Sequence, residues 1–371
     1  MSSASKALTT CRTANPVPFP EGTPGEEWWN EAGNLVYYGT RNKRSLCMDV
    51  TNPRGKEVFL KLVEKTDIVT DNFRPGTMQR FGFDHDSLST INPRIITLSS
   101  TAYGYTGPWR RAGSRARTVD AACGLSYLTG YEGGPSMRAS PNYMDHSVGN
   151  NVAYALLLAL YQRTKTGKGM RVDLTMLETG VSAVGPAILE AQRGITRDRL
   201  GCAHWWKAPH NVYPAWGDDR WIVIVVSSDT EWESLKGAMA RWHNRHELDE
   251  LIGNWTSQHD DLELTRRLQG LGIAAGSAMT AQDLVNNLHL RERGYMWEFS
   301  NPQAPAVGSR LFAGRPFRDP GNPMSIAKVA GLGQDNEVIL AELAGLSPAE
   351  IGELESEGVV FGAPRPDEPR P

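Results

Sequence analysis

Asp145 stands in the run Tyr143-Met144-Asp145-His146-Ser147-Val148-Gly149, which leads into a helix-like stretch. A carboxylate at that point has two uses. It can cap the helix by accepting backbone N–H groups. In an apolar setting it can instead attack an electrophile and carry a covalent intermediate. The residue types alone leave both readings open. His146 follows directly, but adjacent residues at a helix start point in different directions. The pair therefore reads as a carboxylate with a structural neighbour.

A second group, Asn72-Phe73-Arg74-Pro75-Gly76, follows the strand-like Asp67–Thr70. Open α/β sheets bind ligands beyond the carboxyl ends of their strands. An amide, an aromatic face, a guanidinium and a following helix start suit a ligand that carries phosphate and a base. The same residues also make an ordinary turn with a solvated Arg. Tyr103-Gly104-Tyr105-Thr106-Gly107-Pro108 follows the next strand, where glycine permits close backbone approach to a ligand or simply a loop. Gly130–Pro135 reads as a mobile loop ahead of Asp145.

Other chemistries lack their residues. His243 and His246 share a helix but have no Cys or carboxylate pattern for a metal site. There is no G-x-S-x-G elbow, no P-loop and no G-x-G-x-x-G after a strand. The four cysteines, Cys11, Cys47, Cys123 and Cys202, are far apart and form no CxxC pair. That pattern excludes a disulfide scaffold and fits a reducing compartment.

The elements that hold these residues alternate. Helices are expected from Asn52-Pro53, over Pro75–Phe81 and Asp86–Ile91, and over Thr118–Thr129, Gly149–Lys165 and Glu178–Ala191. Strands are expected at Asp67–Thr70, Arg94–Ser99 and Val172–Leu174. Strands that alternate with helices imply a parallel sheet with crossover helices, an α/β fold. Residues 1–33 read as an irregular N-terminal arm and 34–200 as a large α/β domain. Leu200–Trp216 reads as an aromatic junction loop. Arg220–Ser227 is a buried strand, and amphipathic helices follow it, so 205–300 forms a smaller α+β domain. Residues 301–371 read as a C-terminal return segment that packs on the large domain.

Composition limits the partners. The 371 residues carry 39 Lys+Arg against 42 Asp+Glu, a net charge of −3, which gives no electrostatic footprint for nucleic acid or an anionic membrane. No apolar run reaches a membrane-spanning length, and the N-terminus lacks a signal-peptide core, so a cytoplasmic protein is expected.

The ordered set of segments resembles the family III coenzyme A transferases, which include formyl-CoA transferases, carnitine CoA-transferases and their racemase relatives. The matching stretches are Asn42–Ser45, Asp67–Gly76 with Arg80-Phe81-Gly82, and Asn92-Pro93-Arg94. Gly104–Pro108, Leu128-Thr129-Gly130, Asp145 with Gly149, and Arg163–Gly169 complete the set. Each is weak alone, but their order and spacing together are specific. The resemblance implies a Rossmann-like large domain, a small α+β domain and an interlocked dimer. It implies that Asp145 attacks an acyl-CoA thioester and forms first a mixed anhydride, then an aspartyl-CoA thioester. It places Asn72, Phe73, Arg74, Arg80, Phe81 and Met176 against CoA. It also implies no metal and no permanently bound cofactor, with CoA and a small carboxylic acid as substrates.

The sequence departs from the family pattern in three places. The usual first βα unit is missing from the opening, which suggests a truncated gene model or one subunit of a two-component enzyme. Ala116 stands where some transferases place a carboxylate beside the nucleophile. Arg115 stands where the racemases carry the His that pairs with the Asp, which argues against an α-methylacyl-CoA racemase-like isomerase. A further alternative is a catalytically silent subunit of a heteromeric transferase. The aromatic loop Trp205–Trp216 suits either a bulky acyl group or junction packing.

Overall fold

The computed structural model describes residues 3–5, 41–138, 143–239, 245–300, 309–317, 321, 330 and 333–362. The chain divides into two compact units. Residues 1–105, 152–174 and 285–371 form the first, and 106–151 with 175–284 form the second.

In the first unit β1 (Ser3–Ser5) pairs in parallel with β2 (Arg44–Leu46). The rest of the expected irregular arm lies outside the described residues. The main sheet has the order β3 (Ile68–Asp71), β4 (Ile96–Thr101) and β5 (Met170–Thr175). β3 and β4 run parallel, in register from Ile68↔Ile96 to Asp71↔Ser99. Parallel neighbours need a long crossover. Here it contains α2 (Thr77–Phe81) and α3 (His85–Ile91), and α1 (Pro53–Glu64) precedes β3. Asn52 caps α1 by accepting from the Arg54 N–H, with proline at the first helical position. Asp84 caps α3.

Two apolar clusters stabilise this unit. Val63, Met78, Phe83, Leu88 and Ile95 join α1, α2, α3 and the entry to β4. Leu46, Met48 and Val58 pack with Ile339, Leu340, Ile351, Leu354, Val359 and Val360 near the C-terminus. The Asp49 N–H donates to the Val359 carbonyl at 2.8 Å, so the C-terminal segment is also tied by backbone.

The second unit opens with α4 (Ala116–Ala122) and α5 (Leu125–Leu128), which the sequence reads as one helix. Gly124, at φ 88°, breaks it, because a left-handed residue cannot continue a right-handed helix. α6 (Tyr143–Thr166), whose residues from 152 on belong to the first unit, begins six residues earlier than the sequence predicts, with Met144 and Val148 buried one turn apart. The expected helix Glu178–Ala191 is likewise two helices, α7 (Met176–Ala183) and α8 (Gly185–Ala191), with proline in the first turn of α8. An antiparallel sheet follows, made of β6 (His210–Pro214), β7 (Trp221–Val225) and β8 (Ala274–Ser277). β6 lies within the stretch read as a junction loop. Its His and Pro hide the strand in the sequence.

Ile222 and Ile224 are fully buried beneath α9 (Asp229–Ala238), α10 (Arg245–Thr256) and α11 (Asp261–Gly270), which supply Leu235, Ile252, Leu264 and Leu268. Arg220 fastens this layer. It reaches the fully buried Asp261 at 2.8 Å and Asp283 at 2.7 Å. The Arg220 hydrogen bond holds the Asp283 carboxyl at about 2, well below the usual range.

Candidate active site

In the first unit, Asn72-Phe73-Arg74-Pro75-Gly76 forms the turn that leaves the carboxyl end of β3 and enters α2. Gly76, at φ 89°, supplies the left-handed corner that a residue with Cβ resists. Asn72, Phe73, Arg74 and Arg80 are exposed. Phe73 donates its N–H to Asp71 Oδ1 at 3.1 Å, which fixes the turn and leaves the ring outside. Arg80 donates to Thr77 Oγ1 at 3.2 Å. Phe81 is half-buried, with its ring 6.0 Å from Phe83 and packed on the core. Five of the expected CoA contacts are thus gathered on one turn and one short helix.

Beside β3 and α2 lies a cavity of about 20 Å³, room for roughly one water, with Val69, Met78 and Phe83 on its apolar side. Asp71, Ser99, Tyr105 and Arg171 line it, and Thr97 and His85 stand at its side. Ser99 donates to Asp71 Oδ2 at 2.7 Å, and Thr97 Oγ1 lies 3.0 Å from His85 Nδ1. The Arg171 guanidinium sits 4.4 Å from the centre of the Tyr105 ring. Burial pushes the Asp71 carboxyl up against the pull of Ser99, the Phe73 N–H and Arg171, and burial likewise raises Tyr105. Asp71 and Tyr105 lie in runs that the sequence singles out, but Ser99 and Arg171 do not, and nothing local joins the four. They belong to three strand ends or loops that are distant in sequence and meet only in the sheet.

The Arg163–Gly169 motif turns out to be a splice between helix and strand. Arg163 donates to the carbonyls of Asp67 and Arg94 and pairs with the Asp67 carboxylate at 2.9 Å. Gly167, at φ 72°, ends α6 by donating to the Arg163 carbonyl at 2.9 Å. A Cβ on Gly169 would lie 1.9 Å from the Ile95 carbonyl oxygen, so only glycine lets β5 enter beside β4.

In the second unit, Asp145 is exposed in the first turn of α6. It is inside the helix rather than ahead of it, so of the two readings left open the cap loses its position. The positive end of the helix dipole favours a carboxylate there. Met144 before it is fully buried, and Gly180 of α7 lets it close in, since a Cβ there would meet Met144 Cε at 3.2 Å and Cys123 Sγ at 2.6 Å. His146 is exposed. Met176 is the half-buried first residue of α7, behind the capping Thr175. The Gly130–Pro135 loop, expected to be mobile, is tied down. Arg199 donates to the Gly134 carbonyl at 2.7 Å and to the Tyr127 carbonyl at 3.0 Å, and the Gly201 N–H donates to the Gly130 carbonyl at 2.9 Å.

An open concavity of about 370 Å³ in the same unit is lined by Trp206, Lys207, Asp229 and Trp232. Part of the aromatic loop therefore faces open space. Among the described residues no group of three or more His, Cys, Asp or Glu is placed to hold a metal ion, and no helix is long and apolar enough to cross a membrane. His243 and the side chain of His246 lie outside the described residues.

The model of CoA-transferase family III matches residues 18–336. The chain belongs to that family. Membership makes it an enzyme of the CoA-transferring class. Among its relatives is the succinyl-CoA–D-citramalate CoA-transferase of Chloroflexus aurantiacus, 28% identical over 363 residues, 92% of this chain and 90% of that one. The succinyl-CoA–L-malate CoA-transferase beta subunit of the same organism is 28% identical over 86% of this chain and 83% of its own length. A probable CoA-transferase of Mycobacterium tuberculosis is 32% identical over 87% of this chain, which spans only 43% of that longer protein. A CAIB/BAIF family protein from Brucella suis shares the fold at a TM-score of 0.75, with 23% identity, 88% of this chain and 90% of that chain covered.

Proposed function

We propose that the protein moves coenzyme A from an acyl-CoA donor to a carboxylic acid acceptor, with Asp145 as the covalent carrier. The position of Asp145 carries this reading. It is an exposed carboxylate in the first turn of a long helix, backed by the buried Met144. Its oxygen attacks the thioester carbonyl, the C–S bond breaks, and CoA leaves as thiolate from a mixed anhydride on Asp145. The thiolate then attacks the Asp145 carbonyl, which expels the donor acid and leaves an aspartyl-CoA thioester. The acceptor carboxylate attacks that thioester, the thiolate leaves again, and its return to the acceptor carbon restores Asp145. No proton is gained or lost over the cycle, so the site needs water exclusion more than a general base.

CoA binding falls to the Asn72–Gly76 turn, with Arg74 and Arg80 for phosphate and Phe73 for the base; Phe81 and Met176 serve as apolar walls. Arg115, in place of a second acid/base group, favours transfer over racemisation. We read 34–200 as a Rossmann-like large domain, 205–300 as a smaller α+β domain and 301–371 as a return segment. The chains assemble as an interlocked dimer, homomeric or with a sister subunit, in the cytoplasm. Tyr154, Leu157, Leu158 and Tyr161 support the dimer. They form an exposed stripe at helical spacing on α6, an apolar face that a lone chain leaves in water.

The test is exchange of labelled CoA between acyl-CoAs and free acids. Turnover is expected for at least one pair, with Asp145→Ala slower by more than ~1,000-fold. Near-normal turnover by that variant would remove Asp145 from the reaction.

A further inference from the structure

Asp120, on α4, is the one carboxylate among the described residues with both oxygens buried and neither hydrogen-bonded. The residue is only 1% exposed. A buried carboxylate with no partner demands an explanation, because an ionised one is strongly disfavoured there. Its surroundings suggest what it serves. Asp120 and Cys123 share the inner face of α4, where Cys123 Sγ lies 3.4 Å from the Asp120 carbonyl oxygen. Cys123, Gly180 and Met144 converge on one point, so the inner face of α4 packs where α6 begins. Asp145 is the next residue along. Arg138 and Asp145 both act electrostatically on the Asp120 carboxyl. α5 and α7 also pack on α4, and their titratable groups, Tyr127 and Glu178, are exposed.

We propose that Asp120 is a positioning residue for the nucleophile, a neutral carboxylic acid whose O–H is reserved for one oxygen of Asp145. The inference rests on the reading of Asp145 as nucleophile. A carboxylate that attacks through one oxygen gains from having the other held by a donor. The same donor still serves the Asp145 carbonyl oxygen in the anhydride and in the thioester. An ionised Asp120 would repel Asp145 instead, whereas a neutral acid does not. Burial raises the Asp120 carboxyl, Arg138 opposes the rise and Asp145 adds to it. The raised group keeps its proton below its folded pKa and loses it as pH rises through that value. Activity is therefore expected to fall on the alkaline side.

The test compares the wild type with Asp120→Asn and Asp120→Ala, by steady-state kinetics across pH and by infrared spectroscopy. Asn keeps a neutral donor, so Asp120→Asn is expected to retain most of kcat while losing the alkaline fall. Asp120→Ala is expected to lower kcat roughly 10- to 100-fold, with little change in KM, as one charge-assisted hydrogen bond is lost. At neutral pH the wild type is expected to show a protonated-carboxyl stretch that Asp120→Asn lacks. The inference is overturned if the stretch is absent, if Asn is as impaired as Ala, or if both variants match the wild type. If Ala does not fold, the Asn profile and the infrared band still decide. A wild type that forms no acyl adduct on Asp145 refutes the nucleophile reading itself, while the infrared band reports on Asp120 separately.

Discussion

At the residue scale the turn after β3 makes the most separable claims. Arg74 is exposed, and Phe73 holds its ring outward because its N–H is fixed to Asp71. A guanidinium bound to phosphate contributes about 1.5–3 kcal/mol, so Arg74→Ala is expected to weaken CoA binding roughly 10- to 100-fold by titration calorimetry. The loss should shrink at high salt, since phosphate contacts are screened. Phe73→Ala should weaken binding with little salt dependence, because stacking and apolar burial carry its share. If both variants bind CoA like the parent, the segment is only a turn. These residues were legible in the sequence because they are contiguous. The Asp71, Ser99, Tyr105 and Arg171 cavity was not, and neither was Asp120. Each depends on contacts between residues far apart in the chain, which no local spacing encodes.

At the element scale the fold is held by joints that the sequence shows only as glycines and lone charges. The Arg163–Gly169 stretch was legible as a motif, but its work became clear only where Gly169 passes the Ile95 carbonyl at a distance no Cβ tolerates. Gly169→Ala is expected to destabilise the first unit by about 1–3 kcal/mol or more, as overpacking does, and to lower the thermal midpoint. An unchanged midpoint would mean that β5 enters differently. In the second unit, Arg220 holds Asp283 at about 2, against about 3.9 for a free Asp. A depressed carboxyl stabilises the fold above its unfolded pKa, and the contribution fades as pH falls through the folded value. Acid unfolding should therefore steepen between about pH 4 and pH 2. Arg220→Ala should be less stable at neutral pH, because it leaves the buried Asp261 without its cation, and should show a weaker step, because Thr280 still donates to Asp283. Helix breaks at Gly124 and before Gly185 escaped the periodicity because the apolar pattern continues across them. The strand at His210–Pro214 escaped because its composition is that of a loop.

At the scale of the whole molecule, the alternation of strands and helices was enough to announce an α/β chain with a parallel sheet, and the ordered motifs were enough to announce the family. The chain leaves and re-enters its compact units more than once, with residues 106–151 and 175–284 in one of them. Composition shifts mark only local changes, so this interleaving is not visible in them. The stripe Tyr154, Leu157, Leu158 and Tyr161 makes an assembly prediction. Light scattering should find a dimer that survives dilution, and Leu157→Glu should weaken it by at least ~10-fold, the size of an interface hot spot. A parent protein that scatters as a clean monomer contradicts the assembly.

The central claim is that Asp145 carries the acyl group and then CoA. Its most direct test is mass spectrometry of the full chain incubated with candidate acyl-CoAs and hydroxylamine. The account predicts an acyl or CoA adduct on the peptide that contains Asp145, converted by hydroxylamine to a hydroxamate at that side chain and absent from Asp145→Ala. Turnover of an acyl-CoA with no modification ever appearing at Asp145 would contradict it.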